Sequence, residues 1–181
     1  SITLAAYEAS KNNLEVELSS LADQLRSDDG DLQNSEGRPF RLKVGRSATD
    51  ESMQTFFKYS TVQHLSLAHS QITDATISQL ARHYSNLIRL DLGYTNVTAQ
   101  GLKQLETVSN INNLGLSGTK IDYDTLTSVF KHYESSQVPF RIQIESLDLS
   151  DTQYTAEQIA KLPAGVIRLN ISNCNFNDDD V

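Results

Sequence analysis

The chain contains short stretches in which apolar and polar residues alternate, each followed by a segment with helical spacing. In VQHLSLAHSQIT, residues 62–73, leucines at positions 65 and 67 alternate with His64 and Ser66. Successive side chains of an extended strand point to opposite faces of a sheet. The stretch therefore predicts a short strand that buries Leu65 and Leu67 and exposes His64 and Ser66.

This pattern occurs six times, and we number the copies one to six in chain order. The first leucine of each alternation stands at Leu42, Leu65, Leu90, Leu114, Leu147 and Leu169. The intervals are 22 to 25 residues, apart from one of 33 that predicts an insertion near residues 135–145. A strand with one apolar face cannot bury that face alone, so consecutive copies are expected to stack into one core.

Two further columns follow each alternation. The first holds Ser47, Ser70, Thr95, Thr119, Thr152 and Cys174. The second holds residue types that favour helix N-caps, namely Thr49, Thr73, Thr98, Asp122, Thr155 and Asn177. Thr155 and Gln158 have the spacing of a capping box. A helix is therefore predicted after each of the first five strands, and residues 50–59 carry apolar side chains at helical spacing.

The aligned columns resemble the leucine-rich repeat, L-x-x-L-x-L-x-x-N/C-x-L, over residues 39–181. The resemblance implies an α/β solenoid, with short parallel strands on the concave face and helices on the convex face. It implies about six repeats, the last one truncated, and we expect a fragment of a longer protein because the sixth copy lacks its helix.

The family has an asparagine in the first column, which bonds the backbone of adjacent turns. The hydroxyls that stand there in this chain are expected to do the same. Cys174 shares the column and is predicted to be a buried structural thiol, because free cysteine behaves as a small apolar side chain.

Residues 1–38 fit the repeat poorly and are interpreted as an N-terminal cap or a degenerate repeat. The alternation of Leu14, Val16 and Leu18 predicts a strand with these side chains inward, followed by a short helix from about Ser20. Residues 27–38, SDDGDLQNSEGR, have the composition of an acidic surface loop.

Composition and charge narrow the class of partner. The 181 residues suffice for one domain with a core, and the formal net charge is −8 at pH 7. Nucleic acid and anionic membranes require a basic surface, so neither is an expected partner. No apolar run approaches the roughly 18 residues of a transmembrane helix. The single cysteine cannot form an internal disulfide, which favours an intracellular, reducing location.

The sequence carries no motif for catalysis or for cofactor binding. It lacks a glycine-rich phosphate loop, an HExxH motif and a CxxC motif. His64 and His69 flank one predicted strand with opposite parity, a poor arrangement for a shared metal ion. We therefore expect no enzymatic activity, no cofactor and no metal site in this chain.

The solvent-facing positions around the alternations form the predicted binding face. Tyrosine and arginine dominate interface energetics, and a rigid scaffold reduces the entropy lost on binding. We expect a non-catalytic module that is a monomer on its own and binds another protein on the concave face. The predicted partner-binding residues are Arg41, Lys43, Arg46, His64, Ser66, His69, Arg89, Asp91, Tyr94, Asn113, Asp148, Asp151 and Arg168.

Two biological settings remain open. The polar, threonine-bearing copies resemble those of secreted bacterial effectors of the Legionella type, some of which bind and restrain another effector. That resemblance implies secretion into the host cytoplasm and a role as an effector, inhibitor or regulator. The alternative is a substrate-recognition segment of a larger enzyme, such as a ubiquitin ligase whose catalytic domain lies outside this chain.

Overall fold

The computed structural model describes residues 4–105, 108, 111–135, 144–163, 165–174 and 176. These residues form an α/β structure with six helices and a seven-stranded sheet. The helices are α1 Leu4–Arg26, α2 Asp50–Met53, α3 Asp74–His83, α4 Ala99–Gln104, α5 Tyr123–Ser135 and α6 Ala156–Ala160. The strands are β1 Asp31–Ser35, β2 Arg38–Lys43, β3 His64–Ser66, β4 Arg89–Asp91, β5 Asn113–Gly115, β6 Ser146–Asp148 and β7 Arg168–Asn170. Residues 136–143 of the predicted insertion and the predicted cap Asn177 lie outside the described residues.

The strands follow one another across the sheet in chain order. β1 pairs antiparallel with β2, and the strands from β2 to β7 are all parallel. The pairing places the first leucines of the six copies in one row, Leu42, Leu65, Leu90, Leu114, Leu147 and Leu169. The column alignment predicted from the sequence is thereby confirmed as a physical register.

The leucine side of the sheet and the inward sides of the helices share one core. Leu65 is 1 % exposed and Leu67 is fully buried, as predicted from their alternation. Ile77 and Leu80 of α3 belong to the same apolar cluster, as does Leu126 of α5. The polar side of each parallel strand therefore faces away from the core.

The predicted N-caps form in every described copy that has a helix. Thr73 accepts a hydrogen bond from the Ala75 backbone amide at 3.3 Å, and the Asp122 carboxylate accepts one from Thr125 at 2.8 Å. The capping box of Thr155 with Gln158 is confirmed. The helix predicted over residues 50–59 is shorter than expected, because only Asp50–Met53 is α-helical before the chain continues in turns.

Two helices are each linked to the next helix along the sheet by an aspartate in their first turn. Asp50 accepts hydrogen bonds from the Thr73 hydroxyl and the Thr76 hydroxyl, both at 2.6 Å. Asp74 accepts a bond of the same length from the Thr98 hydroxyl. Burial alone would raise the pKa of Asp50, but the bonds from Thr73 and Thr76 outweigh it and hold the pKa below its usual range.

The hydroxyl side chains of the first column stabilise the turns in which they lie. The prediction that they bond to adjacent turns is wrong for most of them. Ser70, for example, donates to the Leu67 carbonyl at 2.6 Å, and Thr119 donates to the Leu116 carbonyl at 2.7 Å. A hydroxyl on Cβ is shorter than an asparagine amide, so it reaches only the carbonyl three residues earlier. Cys174 does reach the adjacent copy, with its thiol 3.2 Å from the Leu149 carbonyl, but it is half-buried.

The predictions for residues 1–38 are wrong in secondary structure. Residues 4–26 form one helix, in which Leu14 is 38 % and Val16 is 70 % exposed. Leu18 and Leu25, seven residues apart, face the core, which is the spacing of one helix face. The predicted acidic loop contains β1, which forms a hairpin with β2 through a turn with positive φ at Glu36 and Gly37.

Candidate protein-interaction face

The polar side of the parallel sheet carries two rows of side chains at matched positions. The first row consists of Arg41, His64, Arg89, Asn113, Ser146 and Arg168. The second row, two residues further along each strand, consists of Lys43, Ser66, Asp91, Gly115, Asp148 and Asn170. We call these two rows together the polar sheet face. The structure thus brings nine of the thirteen predicted binding residues onto one surface.

A third row follows the carboxyl ends of the strands, where the chain turns away from the sheet. Its members all have positive φ, between 53° and 62°, and are His69, Tyr94, Gly118, Asp151 and Asn173. The backbone amides of His69 and Tyr94 each donate to the next copy, at 2.8 Å to the carbonyls of Gly93 and Ser117. We call this set the left-handed row. It holds His69, Tyr94 and Asp151, three further residues of the predicted set.

Tyr94 is the centre of the left-handed row. Its ring stacks on the His69 ring with centroids 4.5 Å apart and planes 9° from parallel. Its hydroxyl donates to the Asp151 carboxylate, which raises the pKa of Tyr94. The other oxygen of Asp151 accepts a hydrogen bond from the Asn173 amide at 3.1 Å. Tyr94 nevertheless remains 43 % exposed, so a large aromatic side chain is both oriented and accessible.

Gly118 makes the position of the Tyr94 ring possible. A Cβ atom on Gly118 would lie 2.3 Å from Cε1 of Tyr94, well inside van der Waals contact. Gly118 also has a φ of 61°, which glycine adopts without the cost that a Cβ imposes. Gly118 and Asn173 were absent from the predicted binding set; the repeated turn after each strand is the sequence signal that could have identified them.

The acidic side chains of the second row also stabilise the turns that follow their strands. Asp91 accepts a hydrogen bond from the Gly93 backbone amide at 3.0 Å, and Asp148 accepts one from Ser150 at 2.9 Å. Asx turns of this kind fix the chain where it leaves the strand. Asp91 and Asp148 are therefore structural residues whose charge also contributes to the polar sheet face.

Two of the predicted cationic residues are neutralised within the chain. Asp29, from the turn between α1 and β1, lies 3.2 Å from the Lys43 ammonium and 3.4 Å from the Arg46 guanidinium. Lys43, followed by Arg46, holds the pKa of the Asp29 carboxyl below its usual range. The predicted acidic loop, residues 27–38, thus lies beside β2. The net positive charge at β2 is therefore smaller than the sequence alone indicates.

The basic side chains at the β2–β4 end of the first row have no such partners. Arg41, His64 and Arg89 form neither an ion pair nor a side-chain hydrogen bond with any residue that the structure describes. Burial, followed by the charges of Arg89 and Arg41, lowers the pKa of His64. The first row is therefore cationic and the second row acidic beside it.

Two further features are absent from the described part of the chain. No three histidine, cysteine, aspartate or glutamate side chains there are grouped closely enough to hold a metal ion. Within the same residues, no helix has the length and apolar character to cross a membrane.

Comparison of the sequence with protein-family models gives no match, and comparison with curated proteins gives none either.

Proposed function

We propose that the chain is a leucine-rich-repeat solenoid that acts as a non-catalytic protein-interaction module. Its partner is another protein, which binds the polar sheet face and the left-handed row as one concave surface. The in-register leucine row and the order of the parallel strands support this architecture. The biological role that follows from the resemblance is that of a bacterial effector, or an inhibitor of another effector or enzyme.

The observation that carries the proposal is the fixed, accessible ring of Tyr94. Binding usually immobilises side chains and loses entropy, and this cost is smaller for a side chain that is already held. Tyr94 is held on one side by His69 and at its hydroxyl by Asp151. An exposed tyrosine restrained at both ends is a typical anchor for a protein interface.

The proposal is tested by capture of partners from a lysate of the native cell or its host, with mass spectrometry of the bound proteins. Tyr94→Ala and Arg89→Glu alter the proposed surface, whereas Arg82→Glu and Lys103→Glu alter exposed cations of α3 and α4. We expect the first pair to reduce capture of the specific partner by roughly tenfold or more. Thermal melts of all four variants establish that they remain folded.

The proposed surface is wrong if the two helix variants lose the partner and the two face variants keep it. The binding function itself is wrong if the wild-type chain captures no protein beyond those that bind the empty resin.

A further inference from the structure

Three cationic or titratable side chains occupy adjacent strands of the sheet. Arg41 of β2, His64 of β3 and Arg89 of β4 are direct neighbours in the parallel register. Neighbouring strands lie about 4.8 Å apart, so the two arginines flank His64 at a separation of roughly 10 Å between backbones. Both arginines are exposed, and His64 is half-buried between them.

We propose that Arg41, His64 and Arg89 form a subsite for the carboxylates of an acidic segment of the partner protein. This inference rests on the proposed function, because it names the partner chemistry that the polar sheet face recognises. The three side chains place N–H donors on adjacent strands, and no described residue of the chain supplies them with an acceptor. Arginine pairs with carboxylates in a bidentate geometry and does so best where it is not already occupied.

The surroundings of the subsite favour a peptide over a polyanion. Asp91 lies in the second row, two residues beyond Arg89 along the same strand, and Asp148 lies two strands further across the sheet. The net charge of the chain is −8. A nucleic acid would bring negative charge onto both rows, and the second row would repel it. A peptide can place carboxylates over the first row and neutral or basic side chains over the second.

The geometry also specifies how the acidic residues are spaced. Alternate side chains of an extended peptide point to the same side and stand about 6.6 Å apart. Two carboxylates at alternate positions can therefore lie one on each side of His64, each within reach of one long arginine side chain. The segment would run across the strands, from β2 toward β4, with the Tyr94 ring at the far edge of the same surface.

The test uses NMR of the full chain with a blocked pentapeptide that has glutamates at alternate positions, Glu-Gln-Glu-Gln-Glu. The ring resonances of His64 report binding, and those of His83, on α3, are the internal reference. All titrations are made at a constant ionic strength of about 0.1 M, which screens nonspecific attraction over roughly 10 Å. A blocked pentaglutamine peptide and inorganic phosphate are titrated in parallel.

We expect the glutamate peptide to shift the His64 resonances saturably and to raise the pKa of His64, because the bound carboxylates favour the imidazolium form. The double substitution Arg41→Gln with Arg89→Gln should weaken this binding by at least about tenfold. The matched control, Arg82→Gln with Lys103→Gln, removes the same charge from exposed helix positions and should bind as the wild type does.

The subsite is excluded if the glutamate peptide does not move His64, or if the two double variants bind it equally. Phosphate binding as tight as that of the peptide would also overturn the assignment to protein carboxylates. Because the titration needs no natural partner, its failure differs from a failure of partner capture. Peptide binding without partner capture would retain the subsite and reject the interaction function, and the reverse result would reject the subsite alone.

Discussion

The hydroxyl of Tyr94 donates a hydrogen bond to the carboxylate of Asp151, a residue 57 positions later in the sequence. The bond passes over Gly118 and so joins the third copy of the pattern to the fifth. His69 extends the contact to the second copy and Asn173 extends it to the sixth. A single exposed aromatic ring is therefore positioned by residues from four other copies of the pattern.

Gly118→Ala is expected to release the Tyr94 ring from Asp151. The new methyl group would overlap the ring, and the alanine would hold a left-handed backbone at a cost of about 1 to 2 kcal/mol. The pKa of Tyr94, followed by ultraviolet titration, should fall toward the ordinary tyrosine value. Since Asp151 raises that pKa, an unchanged titration would mean that the ring keeps its bond.

A double-mutant cycle separates the two effects of Gly118→Ala. In the Tyr94→Ala background only the backbone cost remains, so the substitution at Gly118 should destabilise the chain less than it does in the wild type. Gly118→Asn provides a second control, because asparagine tolerates positive φ but still carries a Cβ atom. Equal losses in both backgrounds would show that the ring and Gly118 are not coupled.

Leu116→Ala should lower the free energy of unfolding by about 2 to 5 kcal/mol, the usual range for truncation of a buried leucine. Leu116 is fully buried in a copy that has neighbours on both sides. Leu169→Ala is the matched control, because Leu169 is 38 % exposed and should cost less. Urea melts of both variants give the comparison, and a loss below about 1 kcal/mol at Leu116 would contradict the leucine register.

Asp50→Asn should destabilise the chain at neutral pH and much less in acid. The folded-state pKa of Asp50 is lowered by its bonds to Thr73 and Thr76, so the charged form stabilises the fold above the unfolded-state value. That contribution is lost as the pH falls through the folded-state pKa, in the range below about pH 4. Melts of both proteins between pH 7 and pH 2.5 measure the difference.

The exposed Asp124 provides the charge control for this experiment. Asp124→Asn also removes one carboxylate from the first turn of a helix, but this carboxylate has no hydrogen bond to the described residues of the next helix. Its stability difference from the wild type should vary less with pH than that of Asp50→Asn. If both differences vary equally, net charge and not the link between α2 and α3 explains the effect.

Hydrogen exchange should be faster in residues 166–174 than in residues 87–92. Leu169 and Ile167 are 38 % and 74 % exposed, whereas Leu90 and Leu92 are fully buried. Local opening costs less where few apolar side chains are covered. Amide exchange followed by mass spectrometry would contradict this expectation if the two segments were protected to the same degree.

Local spacing accounts for the parts of the fold that were predicted correctly. The alternation around Leu65 determines which side of the strand is apolar, and Thr73 and Thr155 cap helices through backbone amides two and three residues away. The repetition of the leucine column then predicts the register, because equivalent strands stack with equivalent residues side by side. Most residues of the candidate face follow from the same parity.

The N-terminal region shows where local spacing misleads. Leu14, Val16 and Leu18 alternate as in a strand, but the same segment also presents Leu18 and Leu25 on one helix face. Both patterns fit the sequence, and packing against the core decides between them. The position of the Asp29 carboxylate beside Lys43 and Arg46 likewise depends on the β1–β2 hairpin and cannot be derived from either segment alone.

Dihedral preferences and residues a few positions apart account for the strands of the six copies, their described helix caps and the apolar side of the sheet. Which polar side chains meet depends instead on how the copies stack. Tyr94 contacts Asp151 because the turn after each strand from β3 to β7 is left-handed and the copies stack in register. Arg41, His64 and Arg89 become neighbours for the same reason. Contacts across 20 to 60 residues depend on the register of the whole sheet, which no single stretch of sequence contains.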